Sequence, residues 1–90
     1  MKRYLVETYL ARGAAAERVA QDRRARSAAE ELTRESKRVR FDRLIHVPED
    51  EICFFVFDAP SSRDAALVAK RAGLDAVRIV EAISSREEEQ

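Results

Sequence analysis

Hydrophobic and polar positions divide this chain into six segments, the clearest of which is a short apolar run. Ile52, Cys53, Phe54, Phe55, Val56 and Phe57 follow one another before Asp58 and Pro60 end it. A run that short, with charge before it and proline after it, predicts a strand rather than a helix. Strand alternation places Ile52, Phe54 and Val56 on one face and Cys53, Phe55 and Phe57 on the other. Both sets are apolar, so the strand belongs at the centre of a sheet and needs a cover on each side.

The remaining segments fall around it. Residues 3–10 read as a first strand, since Tyr4, Val6, Thr8 and Tyr9 favour the pleat, and Arg12 and Gly13 break it. Residues 14–36 turn to alanine, arginine, glutamate and glutamine and predict a helix. Its apolar stripe is thin: Val19, Ala25, Ala28, Ala29 and Leu32 at three- and four-residue spacing. Residues 37–47 predict a second strand, with Val39, Phe41, Arg43, Ile45 and Val47 on one parity and Arg40, Asp42, Leu44 and His46 on the other. That mixed pattern suits an edge. Pro48, Glu49 and Asp50 signal the turn into the central run. After Pro60, Ser61 or Ser62 caps a second helix whose buried face is Ala65, Val68, Ala69 and Ala72, and Gly73 stops it. Residues 76–84 predict a last strand with Val77, Ile79, Glu81 and Ile83 on one parity.

Strand, helix, strand, strand, helix, strand is the ferredoxin-like βαββαβ pattern of the α+β class: a four-stranded antiparallel sheet with two helices on one face. Right-handed crossovers put the first and third strands at the centre. Two helices cover one face only, so the other face keeps apolar side chains that ask for a partner. A second copy of the chain supplies that cover, which predicts a homodimer, a dimeric α+β barrel with an enclosed space between the sheets. Residues 1–84 form the single domain and residues 85–90 a polar tail.

Charge changes this picture little. Seventeen basic and seventeen acidic residues cancel, which argues against nucleic acid as a partner. Arg18, Arg23, Arg24 and Arg26 cluster, but Glu17, Asp22, Glu30, Glu31 and Glu35 interleave with them as on a solvated helical face. One cysteine allows no internal disulfide and fits a reducing, cytoplasmic setting. No stretch is long and apolar enough for a membrane span or a signal core.

Candidate chemistry is sparse. Glu7 and Glu81 lie mid-strand on the first and fourth strands, which the topology makes antiparallel neighbours. Opposed carboxylates with Tyr9 nearby would share a proton or bind a cation; ion pairs with Arg3, Arg43 or Arg78 are the other reading. His46, the one histidine, and Cys53 across the hairpin offer donors that suit nickel or another divalent transition metal, although their spacing matches no zinc pattern. A solvated edge histidine and an inert core thiol are the alternatives. Phe55 and Phe57 are the aromatic candidates for a ligand-cavity wall, or simply core.

Arg3, Tyr4, Leu5, Val6 and Glu7, then Val39, Arg40 and Phe41, then residues 53–60, with Ala72, Gly73, Leu74 and residues 78–81, together resemble the small, mostly actinobacterial nickel-binding proteins of ferredoxin-like fold. That resemblance implies a homodimer, with nickel bound in some members, and it matches Glu7, Cys53 and Glu81 to family landmarks. Where the family often carries a histidine-serine-tyrosine-like segment, this chain has Arg43, Leu44 and Ile45, and His46 comes three residues later.

Three functions follow as expectations. The first is a homodimeric binding module for a metal or small ligand, with Glu7, Tyr9, Phe55, Phe57 and Glu81 lining the space and Glu7, His46, Cys53 and Glu81 as metal donors. The second, by analogy of fold, is a small cofactor-independent monooxygenase or isomerase, with Glu7 or Glu81 as base and Tyr9 or His46 as donor. The third is a partner protein that uses the arginine-rich helix.

Overall fold

The structure is a computed structural model that describes residues 1–83 and Ser85. The polar tail expected over residues 85–90 lies, Ser85 apart, outside the described residues. Strand β1 (Lys2–Tyr9) leads through a short 3-10 helix (Arg12–Glu17) into helix α1 (Arg18–Arg34). Strand β2 (Arg40–Val47), a 3-10 turn (Pro48–Asp50) and strand β3 (Ile52–Ala59) form the hairpin. Helix α2 (Ser62–Arg71) and strand β4 (Arg78–Ala82) complete it. The strands stand in the order β2-β3-β1-β4, every neighbouring pair antiparallel. This is the ferredoxin-like arrangement, with both helices on one face.

The core lies between that face and the helices. Tyr4 and Val6 of β1, Phe41 of β2, and Cys53, Phe55, Phe57 and Ala59 of β3 point into it. From above they meet Ala25, Ala28, Ala29 and Leu32 of α1 and Ala65, Val68 and Ala69 of α2. Alanine predominates on the helix side because short side chains let a helix lie close on a sheet whose own side chains are large. The Phe41 ring sits 5.2 Å from that of Phe57, and the Arg26 guanidinium lies 5.1 Å from the centroid of Phe41, closing the core at its edge. Ser61 caps α2 as expected, its Oγ accepting from the Asp64 amide at 3.2 Å.

Two sequence expectations need correction. The helix expected from residue 14 begins at Arg18, after the 3-10 segment, and Val19 does not join the buried stripe: it is 66% exposed. The second strand does not alternate uniformly. Phe41 pairs with Phe57 but Arg43 pairs with Val56, a β-bulge that leaves Asp42 unpaired. The extra residue moves everything after it to the other parity. Phe41, Leu44 and His46 therefore share the helix side, while Arg43, Ile45 and Val47 turn to the open side.

Candidate functional site

The open face of the sheet is built in cross-strand rows. At its middle, Arg43, Val56, Leu5 and Val80 run across all four strands; the next row is Ile45, Phe54, Glu7 and Arg78. Val47 and Ile52 continue the apolar band beside Tyr9. Ile45 is 43% exposed and Tyr9 69%. The band is framed by charge. At one end Asp58 accepts from Arg3 Nε at 3.1 Å and from Arg40 Nη2 at 2.7 Å, and Asp42 lies 3.4 Å from Arg3 and 3.1 Å from Arg43. Burial of the Asp58 carboxylate opposes ionisation, but the two guanidinium hydrogen bonds outweigh it and hold the group below its ordinary range. Toward the other end, one row before Tyr9, Arg78 Nη2 stands 3.4 Å from Glu7 Oε1.

The expected carboxylate pair does not form. Glu7 lies opposite Arg78, and Glu81 lies opposite Tyr4, whose side chain is buried beneath the helices. Glu7 and Glu81 thus sit on opposite faces of the sheet, and Glu7 takes the ion pair with Arg78 that was its other reading. Phe55 and Phe57 are fully buried on the helix side and line no space on the open face. The aromatic and aliphatic residues that do face it from β3 are Phe54, Val56 and Ile52. Sequence carried the signal: they share their parity with Asp58, and a charged residue belongs on the face without helices.

His46 and Cys53 are direct cross-strand partners, as the hairpin predicted, but on the helix side. Cys53 is fully buried; burial pushes its thiol up, against a smaller opposing pull from Arg18. Among apolar neighbours it stands as the inert core thiol that was its other reading. The four proposed metal donors do not converge. Glu7 is on the other face, and Glu81 belongs to the row of Tyr4, four residues along β1 from the Thr8–Cys53–His46 row, or about 13 Å at strand rise. Among the described residues no group of three histidine, cysteine, aspartate or glutamate side chains is placed to hold a metal ion. These residues do not fit nickel within one chain, which prefers several imidazole or thiolate donors around one ion.

No helix among the described residues is long and apolar enough to cross a membrane. No protein-family model matches the chain, and no curated protein matches it. Among solved structures, the chain is similar to the crystal structure of SCO4226 from Streptomyces coelicolor A3(2). The two are 22% identical over 92% of this chain and 98% of that one, with a TM-score of 0.69. At that identity the likeness bears on the fold.

Proposed function

We propose that the protein is a homodimeric binding module in which two copies meet through their open sheet faces and hold a small ligand between them. The observation that supports this is the band of Leu5, Ile45, Phe54, Val56 and Val80 across the uncovered side of all four strands. A sheet normally buries such a face against a second layer. The Asp58 cluster closes one end of the band, and the pair of Glu7 and Arg78 lies one row inside the other. A copy turned through a two-fold axis therefore brings the apolar side chains together and leaves Glu7 and Arg78 facing the space between the sheets. The polar groups on the ligand's side are Glu7, Arg78 and Tyr9. That set suits a small organic molecule with a polar end better than nickel, since His46 and Cys53 lie beneath the helices.

The enzyme reading has less support. Glu7 is engaged in an ion pair with Arg78, and the other candidate base, Glu81, lies on the helix side of the sheet. Native mass spectrometry on untagged protein tests the proposal in one measurement: a dimer carrying a substoichiometric or stoichiometric organic mass is the expected result. A monomer at every concentration from micromolar upward overturns it. A dimer holding nickel near one per chain would overturn the choice of ligand and keep the assembly.

A further inference from the structure

On the helix side, the buried side-chain polar atoms that lack a hydrogen-bond partner among the described residues gather at one end of the sheet. They are Oγ1 of Thr8, Oε1 of Gln21 and both ring nitrogens of His46. Thr8 pairs with Cys53 and Cys53 with His46, so three strands contribute one row. Gln21 belongs to the first turns of α1. The segment above that row, residues 12–24, contains no fully buried side chain; the buried stripe of α1 begins only at Ala25. Unmet hydrogen-bonding groups in a native interior are costly and uncommon. Four of them, one in this segment and three on the strands beneath it, mark a place where the fold has not satisfied its own polar groups.

A cavity of about 510 Å³ opens at the His46 end of the row, within the range of roughly 300–1,000 Å³ usual for small-molecule sites. Its walls are apolar and small, formed by Ala15, Ala16, Val19 and Leu44. Val19 is the helix residue that left the core stripe, and here it has a use: an exposed apolar side chain facing a groove. Arg18 stands at the rim with its Nε committed to the Ala15 carbonyl at 3.0 Å, a bond that fixes the guanidinium and leaves its terminal nitrogens to other acceptors. Asp22 also lines the groove, but its carboxylate is engaged 3.3 Å away by Arg26, which leaves Arg18 as the lining cation with terminal nitrogens for a ligand.

We infer that this groove binds a small apolar carboxylate, with its acid group on Arg18, its ring or chain against Val19 and Leu44, and a hydrogen bond from or to His46. The histidine side chain has a broad terminal torsion, and the side chains of the overlying segment that must shift are themselves only exposed or half-buried, so a seated ligand can meet a ring nitrogen. Arginine presents paired donors that match a carboxylate. The site is separate from the inter-sheet space and exists in a single copy of the chain.

The test is an NMR titration of the intact protein with 3-phenylpropionate, using 3-phenylpropanol as the uncharged control. Shifts centred on the His46 ring and the Val19 methyls are expected. The alcohol, or the Arg18→Gln variant with the acid, should bind roughly tenfold more weakly or worse, the loss expected for a charged hydrogen bond. Ala16→Trp fills the groove from an exposed position and should abolish binding while circular dichroism and melting stay unchanged. Shifts centred on Leu5 and Phe54 would place the ligand on the open face and overturn the inference. So would the absence of shifts at millimolar acid, or undiminished binding to folded Ala16→Trp.

Discussion

Ser36 and Gly73 occupy the same position of the same motif at the ends of the two helices. At the end of α1 the Lys37 amide donates to the Leu32 carbonyl at 2.8 Å and the Ser36 amide to Thr33 at 3.0 Å. At the end of α2 the Leu74 amide donates to Ala69 at 3.0 Å and the Gly73 amide to Lys70 at 3.0 Å. Both are Schellman closures, and both need a left-handed residue: φ is +72° at Ser36 and +74° at Gly73. Only Gly73 adopts that conformation without a steric cost. Ser36→Gly should therefore stabilise the fold and Gly73→Ala should weaken it, each by about 1 kcal/mol. A Cβ built at Gly73 meets no atom within 4 Å, so its loss would be conformational and not a clash. Urea unfolding of the two variants checks both signs, and equal effects in the same direction would refute the account.

The Asp58 cluster gives the fold an acid limit. A carboxyl held below its ordinary value contributes stability that is complete above the unfolded value, near 3.9, and is lost as pH falls through the folded one. Stability should thus decline below about pH 4 as Asp58 takes up a proton and releases Arg3 and Arg40. Asp58→Asn should cost roughly 1–3 kcal/mol at neutral pH, because a carboxylate only 13% exposed is replaced by a weaker partner. In the same variant the acid-side slope of stability should flatten. Unfolding free energy followed from pH 7 to pH 3 in both proteins measures this, and parallel curves would assign the acid loss to other carboxylates.

Phe57, with Phe55, is the largest side chain fully buried in the core. It is fully buried, packs on the Phe41 ring, and sits mid-sheet beneath both helices. Phe57→Ala should cost about 3–5 kcal/mol, a large part of the roughly 5–15 kcal/mol that holds a small domain together. Phe54→Ala, on the open face of the same strand, should cost the monomer clearly less. Thermal melts of the two variants at a concentration low enough to hold them monomeric compare the faces directly.

The fold was legible because its strongest signals are local and agree. The apolar run from Ile52 to Phe57, the Ser61 cap and the Gly73 stop each specify one element, and their order leaves few topologies. The candidate site was less legible because it depends on register. A single bulge between Phe41 and Arg43 moved Ile45 to the open face and His46 to the helix side, and no alternation rule locates a bulge. Glu7 and Glu81 were rightly placed on neighbouring strands. Whether they met turned on parity across the pair, which only the pairing of Tyr4 with Glu81 decides. Val19 continued the helical spacing but falls where α1 faces β2 across an open groove, so spacing alone overcounted the core.

Ile45 offers the cleanest test of the open face as an interface. It lies on the edge strand β2, is 43% exposed, and pairs with Phe54 in the row that carries Glu7 and Arg78. An exposed edge position tolerates a polar side chain, so Ile45→Glu should leave the monomer folded and its melting temperature at low concentration nearly unchanged. Against a second copy the same change sets an unpaired carboxylate into apolar contact, a loss on the order of 2 kcal/mol. The dimer dissociation constant should rise by roughly thirtyfold, since each 1.4 kcal/mol is a factor of ten. Val19→Glu, equally polar but on the helix side, should leave self-association untouched. Sedimentation velocity over a hundredfold range of concentration compares the three proteins. Equal shifts for both variants would point to a general loss of solubility or fold, and no shift for Ile45→Glu would remove the open face from consideration.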